Sequence, residues 1–96
     1  MRTLCLENIE EAVNQLERVH YELKARESIL NYMMFNKLQE RDNFKIFWEE
    51  YIAYLKVYDT LKNQFGQKYV MPNVDKDFNG RWEVSFDQKG VITLYD

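Results

Sequence analysis

The apolar residues of this chain change their spacing once along the sequence, and this change restricts the folds that the chain can adopt. Between Leu6 and Tyr69 they recur in steps of three and four, which is the period of an amphipathic helix. Between Arg81 and Tyr95 they alternate with polar residues, which is the period of a half-buried strand. The pattern predicts a mainly α, α+β protein: an antiparallel helical hairpin with a C-terminal two-stranded β-hairpin packed on it.

The helical part divides at a polar break, residues 40–43, which supplies Asp42 or Asn43 as the N-cap of a second helix. Helix 1 is predicted at about residues 6–40 and helix 2 at about residues 43–69. The apolar stripe of helix 1 consists of Leu6, Ile9, Val13, Leu16, His20, Leu23, Glu27, Leu30 and Met34. The aromatic face of helix 2 is wider than one partner helix can cover, so we expect a second layer or another protein to pack on it.

The C-terminal alternation, at about residues 81–95, is predicted to be a β-hairpin. A type I turn with a glycine bulge pairs Phe86 with Ile92 and Val84 with Leu94. This register places five apolar side chains on one face: Trp82, Val84, Phe86, Ile92 and Leu94. A shift by one residue would expose two large aliphatic side chains, each worth roughly 1.5–3 kcal/mol of burial. Because an isolated hairpin is only marginally stable, we expect this face to lie on helix 2.

The composition excludes several functional classes. Ninety-six residues fit a single domain, residues 1–96. Sixteen acidic and 13 basic residues give a formal net charge of −3, whereas a protein that binds duplex DNA normally shows a clustered basic face. One cysteine and one histidine provide neither an intrachain disulfide nor a zinc site built from Cys and His alone. We therefore expect no nucleic-acid partner and no cofactor.

Enzymatic and membrane functions are not expected either. The sequence contains no P-loop, dinucleotide-binding, zinc-protease or C-x-x-C motif. No apolar run approaches the ~18 residues that are needed to span a bilayer. The lone cysteine, Cys5, fits a reducing compartment. The prediction is a cytoplasmic protein that is not an enzyme and does not cross a membrane.

Two groups of residues resemble chemical sites, and we expect neither to act as one. The segment 75–80 matches the first half of a calcium loop, but loop position 12 is Phe86 where a bidentate Glu is needed. The ligands would be Asp75, Asp77 and Asn79. On helix 1, His20 and Glu27 lie one heptad apart, about 10 Å along the axis, which is too far for a direct bond. We expect a solvated turn in the first case and, in the second, a buried polar contact from His20 to a Glu or to a Tyr hydroxyl.

The end of helix 2 and the hairpin carry a family pattern. The helix ends with Phe65-Gly66-Gln67-Lys68-Tyr69, and the hairpin reads Trp82-x-Val84-x-Phe86-Asp87-x-x-x-Val91-Ile92-x-Leu94. With these residues the chain resembles the small accessory proteins of Cys-x-x-x-repeat peptide modification systems, which accompany a radical-SAM maturase and a cysteine-rich precursor peptide. The resemblance implies a non-enzymatic role in which the protein helps the maturase to hold or recognise its peptide.

The predicted function is therefore protein or peptide binding. Free strand edges of the hairpin can accept an extended peptide by strand addition, and the wide face of helix 2 offers a second surface. The predicted partner is a precursor peptide or its radical-SAM modifying enzyme. The predicted partner-binding residues are Trp48, Tyr51, Tyr54, Tyr58, Trp82, Val84, Phe86, Val91, Thr93 and Tyr95. Two alternatives stay open: a small acidic phage-type inhibitor that occludes a partner protein, and a homodimer that buries the excess face of helix 2.

Overall fold

Two long helices and three short strands form the part of the chain that the computed structural model describes, residues 1–37 and 42–95. The elements in chain order are β1 (Arg2–Cys5), α1 (Glu10–Phe35), α2 (Asp42–Phe65), β2 (Arg81–Val84) and β3 (Val91–Tyr95). After α2 the backbone continues through a π-helical turn (Gly66–Val70) and a short 3-10 turn (Met71–Asn73). The structure is 63% helical, which confirms the predicted α+β class.

Helix α1 is shorter at both ends than residues 6–40, the range that its apolar stripe predicted. Asn8 adopts a φ of 61° and separates the helix from β1, and Lys37 adopts a φ of 57° just beyond the last helical turn. Residues 40 and 41 of the predicted break lie outside the described residues, as do 38, 39 and the side chain of Asp42. Helix α2 already includes Asp42, so Asn43 lies within the helix and is not its N-cap.

The core lies where the first half of α1, the end of α2 and the sheet meet. It is formed by Ile9, Val13, Leu16, Phe65, Val70, Ile92 and Leu94. Beyond this core, α1 buries three further side chains as it runs beside α2: Leu23, Leu30 and Met33. Met34, which the predicted stripe placed inside, is 43% exposed, and its neighbour Met33 takes the inner position. The molecule is elongated, 48 × 26 × 19 Å, because the two helices extend past the sheet.

The sheet has three strands in the order β1-β3-β2, whereas the sequence predicted only the β2–β3 hairpin. The additional strand, β1, pairs antiparallel with β3 and places Leu4 opposite Ile92. Only four residues long, β1 contributes a single partly buried apolar side chain, Leu4, to the core. A segment this short carries too little periodicity to be recognised, and its partner lies at the other end of the chain.

The β-hairpin is paired two residues away from the predicted register. Val84 lies opposite Ile92 and Trp82 lies opposite Leu94. A shift by two residues keeps every side chain on the same face, so the burial argument could not distinguish the two registers. Phe86 leaves the strand and packs its ring 5.2 Å from the His20 ring of α1 instead of pairing with Ile92.

Gly90 fixes the end of the hairpin loop. Its φ is +106°, a conformation that glycine adopts without strain. Its carbonyl accepts a 2.7 Å hydrogen bond from the Leu6 N–H, so the loop is attached to the residue that follows β1. A Cβ at this position would lie 2.5 Å from the Leu6 carbonyl oxygen. Glycine is therefore required at position 90 for two reasons: the positive φ of the turn and the close approach of the Leu6 backbone.

Candidate peptide-binding edge

Strand β2 is an outer strand of the sheet and presents backbone groups that β3 does not use. The Ser85 N–H donates to the Val91 carbonyl at 3.0 Å. Because bonded residues alternate along an antiparallel strand, the N–H and C=O groups of Trp82 and Val84 point away from β3. Within residues 1–37 and 42–95, no strand pairs with this side of β2. These two residues therefore form an edge that can accept another strand.

Strand β3 does not offer a free edge, contrary to the expectation from the sequence. It is the central strand, because β1 occupies the side that the hairpin alone would leave open. Val91, Thr93 and Tyr95 alternate with core residues, so their side chains lie half-buried on the outer face of the sheet. There the Arg81 guanidinium lies 5.3 Å from the centre of the Tyr95 ring. The backbone of β3 is thus unavailable for strand addition.

A cleft of about 250 Å³ opens beside the β2 edge. Both helices and the hairpin line it, through Leu16, His20, Tyr58, Lys62, Trp82, Glu83, Val84 and Phe86. Pockets for drug-sized molecules usually measure about 300–1,000 Å³, so this cleft suits a single side chain better than a whole small molecule. A strand added to β2 would direct alternate side chains toward the face on which the cleft opens.

Aromatic rings form the walls of this cleft. The His20 ring lies 5.2 Å from Phe86 and 5.9 Å from Tyr58, measured between ring centres. The Trp82 indole stacks on Phe65 at 5.6 Å and is approached by the Lys62 ammonium at 5.3 Å. These rings come from three different elements, so the cleft exists only in the folded chain.

Gly66 allows the Trp82 indole to lie close to the helical backbone at the end of α2. A Cβ at position 66 would lie 2.9 Å from the Trp82 Cζ2 atom. The indole is therefore held between Gly66, Phe65 and Lys62 while its own backbone faces the sheet edge. This packing holds the Trp82 indole in a fixed position beside the exposed backbone of β2.

The His20 and Tyr58 side chains in the cleft are both uncharged at neutral pH. Burial lowers the pKa of His20 below its usual value of 6.5, and the positive charge of Lys24 lowers it further, so the imidazole is neutral at pH 7. Burial also raises the pKa of Tyr58, with added repulsion from Asp59 and Glu83. The phenol therefore stays protonated and can donate a hydrogen bond to an occupant.

The predicted aromatic residues of helix 2 separate into two groups. Trp48 is 45% exposed, whereas Tyr51, Tyr54 and Tyr58 are half-buried. The Arg26 guanidinium of α1 lies 3.8 Å from the centre of the Tyr54 ring. Of these four residues, only Tyr58 lines the cleft beside β2.

His20 and Glu27 do not form a pair. Glu27 lies 3.3 Å from the Lys24 ammonium, on the exposed side of α1. His20 is half-buried and packs against the rings of Tyr21, Tyr58 and Phe86. The expected polar contact is replaced by aromatic packing at the cleft.

The calcium-loop segment forms a turn at the surface. The Phe78 N–H donates to the Asp75 carbonyl at 3.0 Å, and Asp75, Asp77 and Asn79 line a shallow cleft that Arg2 also lines. In the part of the chain that the structure describes, no group of three or more His, Cys, Asp or Glu side chains could hold a metal ion.

A larger cleft of about 360 Å³ lies between the start of α1 and the end of α2. Its rim is polar and includes Gln15, Gln64 and the oppositely charged Glu11 and Lys68. It does not include any residue of β2. We therefore take the cleft beside Trp82, which adjoins a strand edge, as the candidate site.

Comparisons with known proteins do not assign a family or a function to the chain. No protein-family model matches the sequence, and no curated protein or solved structure shows a significant match. Among the described residues, neither helix is long and apolar enough to cross a membrane.

Proposed function

We propose that this chain is a non-enzymatic binding module that captures an extended polypeptide segment on the outer edge of β2. One observation carries the proposal: the outward-facing backbone groups of Trp82 and Val84 lie directly beside an aromatic cleft. Strand addition uses backbone hydrogen bonds for affinity and pockets for alternate side chains for specificity. The β2 edge offers both the unpaired backbone groups and, in the adjacent cleft, a pocket for a side chain.

The cleft indicates which side chain the bound segment would carry. A residue opposite Trp82 would project toward the rings of His20, Tyr58 and Phe86. Because these walls are aromatic and the imidazole is neutral, an apolar or aromatic side chain is the preferred occupant. The Tyr58 hydroxyl adds one hydrogen-bond donor.

The resemblance to accessory proteins of radical-SAM peptide modification supports a precursor peptide, or its modifying enzyme, as the source of this segment. Such a role requires an accessible edge and no catalytic groups. We place the protein in the cytoplasm, where the exposed thiol of Cys5 would remain reduced.

A pair of variants at one position tests strand addition. A random nonapeptide phage library is selected on the immobilised chain, and the affinity of the enriched peptides is measured for wild type, Val84→Pro and Val84→Ala. Proline removes the outward-facing N–H without removing a bond to β3, whereas alanine shortens the side chain and keeps the N–H. We expect Val84→Pro to weaken binding about tenfold more than Val84→Ala does.

Circular dichroism and thermal melting establish that both variants fold. Equal affinity of the enriched peptides for Val84→Pro and Val84→Ala would show that the edge is not the binding site. Failure to enrich any peptide above a bare-surface control would also overturn the proposal. A steep loss of affinity with rising salt would instead indicate the acidic inhibitor that the sequence left open.

A further inference from the structure

The outer face of the β2 edge carries a pair of opposite charges. Arg81 and Glu83 flank Trp82, and both are exposed. Arg81 contacts the Tyr95 ring, and among the described residues neither Arg81 nor Glu83 has an ion-pair partner. These charges are therefore available to a strand that pairs with β2.

The charges select a sequence for that strand. An antiparallel strand that exchanges hydrogen bonds with Trp82 places one residue opposite Arg81 and another opposite Glu83, on the same outer face. Favourable pairing needs an acidic residue opposite Arg81 and a basic residue opposite Glu83. Read from its N-terminus, the added strand is then basic, apolar, acidic.

Strand β2 has this sequence itself, Arg81-Trp82-Glu83. We propose that a second copy of this chain occupies the edge when no other peptide is bound. Trp82 then lies opposite Trp82 of the second copy, and each Arg81 lies opposite the other copy's Glu83. The inference rests on the proposed function, because it requires that the β2 edge accepts a strand.

Charge also selects this register over its neighbours. Moving the two-fold axis by one residue in either direction places Glu83 opposite Glu83 or Arg81 opposite Arg81, and like charges directly opposite each other are unfavourable. Of these three registers, only the one centred on Trp82 forms two ion pairs within the four residues of β2. The contact is isologous, as in most symmetric dimers.

The dimer would join the two sheets into one six-stranded sheet and bring the Trp82 side chains together at the clefts. Each β2 strand has only four residues, so the contact is small and the dimer is expected to be weak and reversible. A bound peptide would compete with the second copy for the same backbone groups. Self-pairing would thus cover an exposed strand edge until a partner arrives.

Charge-reversal variants test the register by sedimentation equilibrium over a range of concentrations. Arg81→Glu or Glu83→Arg alone converts two attractive pairs into two repulsive ones, and we expect the dimer to weaken about tenfold or more. An equimolar mixture of the two variants forms two attractive pairs in the heterodimer, so association should return. The double variant R81E/E83R should also recover it. Lys56→Glu, which changes the net charge as Arg81→Glu does at an exposed site on α2, should have no effect.

Wild type that stays monomeric up to about 1 mM would overturn the inference, and so would a dimer that these charge reversals do not change. The Val84→Pro variant distinguishes failure of the dimer inference from failure of the proposed peptide binding. If a monomeric wild type binds the selected peptides and Val84→Pro does not, the dimer is excluded and peptide binding at the edge stands. If wild type dimerises but Val84→Pro reduces neither dimerisation nor peptide binding, both proposals fail.

Discussion

The two ends of this elongated molecule are built differently. The sheet end consists of the three strands, the start of α1 and the end of α2, and it contains the connected core around Val13, Ile92 and Leu94. The helical end, residues 21–35 and 42–57, buries Leu23, Leu30 and Met33 but leaves Phe35 88% and Ile46 61% exposed. Helices and sheet share one core at the sheet end, whereas the buried side chains of the helical end lie between α1 and α2 in the described part of the chain.

This difference indicates which end of the molecule can hold the side chains of a binding site in fixed positions. A site built on the sheet end has walls fixed by packing from several elements, as at Trp82. At the helical end, Trp48 is 45% exposed, and among the described residues its ring contacts are with Phe44 and Tyr51 of the same helix. The well-packed end is therefore where strand addition is proposed.

The largest effect should come from removing side-chain volume in the core of the sheet end. Ile92→Ala should reduce the free energy of unfolding by about 3–5 kcal/mol, because Ile92 is fully buried in the core that the sheet shares with α1 and the end of α2. Leu30→Ala, in the helical end, should cost less, about 2–3 kcal/mol, because Leu30 lies outside the sheet core and the two helices can close around the cavity. Urea denaturation measures both values. Equal losses would show that the two ends are packed equally well.

A smaller effect should follow from removing the charge that joins the helices at the helical end. The Arg26 guanidinium lies 2.7 Å from Glu50 and 3.8 Å above the Tyr54 ring. Arg26→Met keeps the apolar stem and should cost about 1 kcal/mol. Hydrogen exchange should increase in α1 and α2 near this residue and stay unchanged in the strands. Increased exchange throughout the sheet would mean that the two ends unfold as one unit.

The smallest effect should be a pH dependence at the sheet end. Because the folded-state pKa of His20 lies below 6.5, protonation favours the unfolded chain. The stability that neutral His20 provides is complete above pH 6.5 and falls as the pH decreases toward the lower folded pKa. Thermal melting at about pH 5 and about pH 7.5 should show a lower Tm at the acidic pH, and His20→Gln should reduce the difference. If the Tm difference between the two pH values were unchanged in His20→Gln, groups other than His20 would cause the pH dependence.

The sequence predicted the helices well because their stripe repeats over many turns. Val13, Leu16, Leu23 and Leu30 were all expected inside and are all buried. The site was predicted less completely. Trp82, Val84, Phe86 and Tyr58 were selected and line one cleft; Lys62 was not expected beside them, and His20 was expected only in a polar contact with a Glu or a Tyr hydroxyl. Their contribution depends on how α1 and α2 cross the hairpin, which periodicity does not encode.

By itself, the sequence determined the α+β class, the faces of the elements and the location of the hairpin, because these depend on the spacing of apolar residues along the chain. Only the tertiary structure decided that β1 covers β3, that the hairpin pairs Val84 with Ile92, and that β2 is the edge beside the cleft. Local patterns do not contain such choices: the pairing of residues 2–5 with 91–94 joins distant segments, and a two-residue shift preserves every buried face.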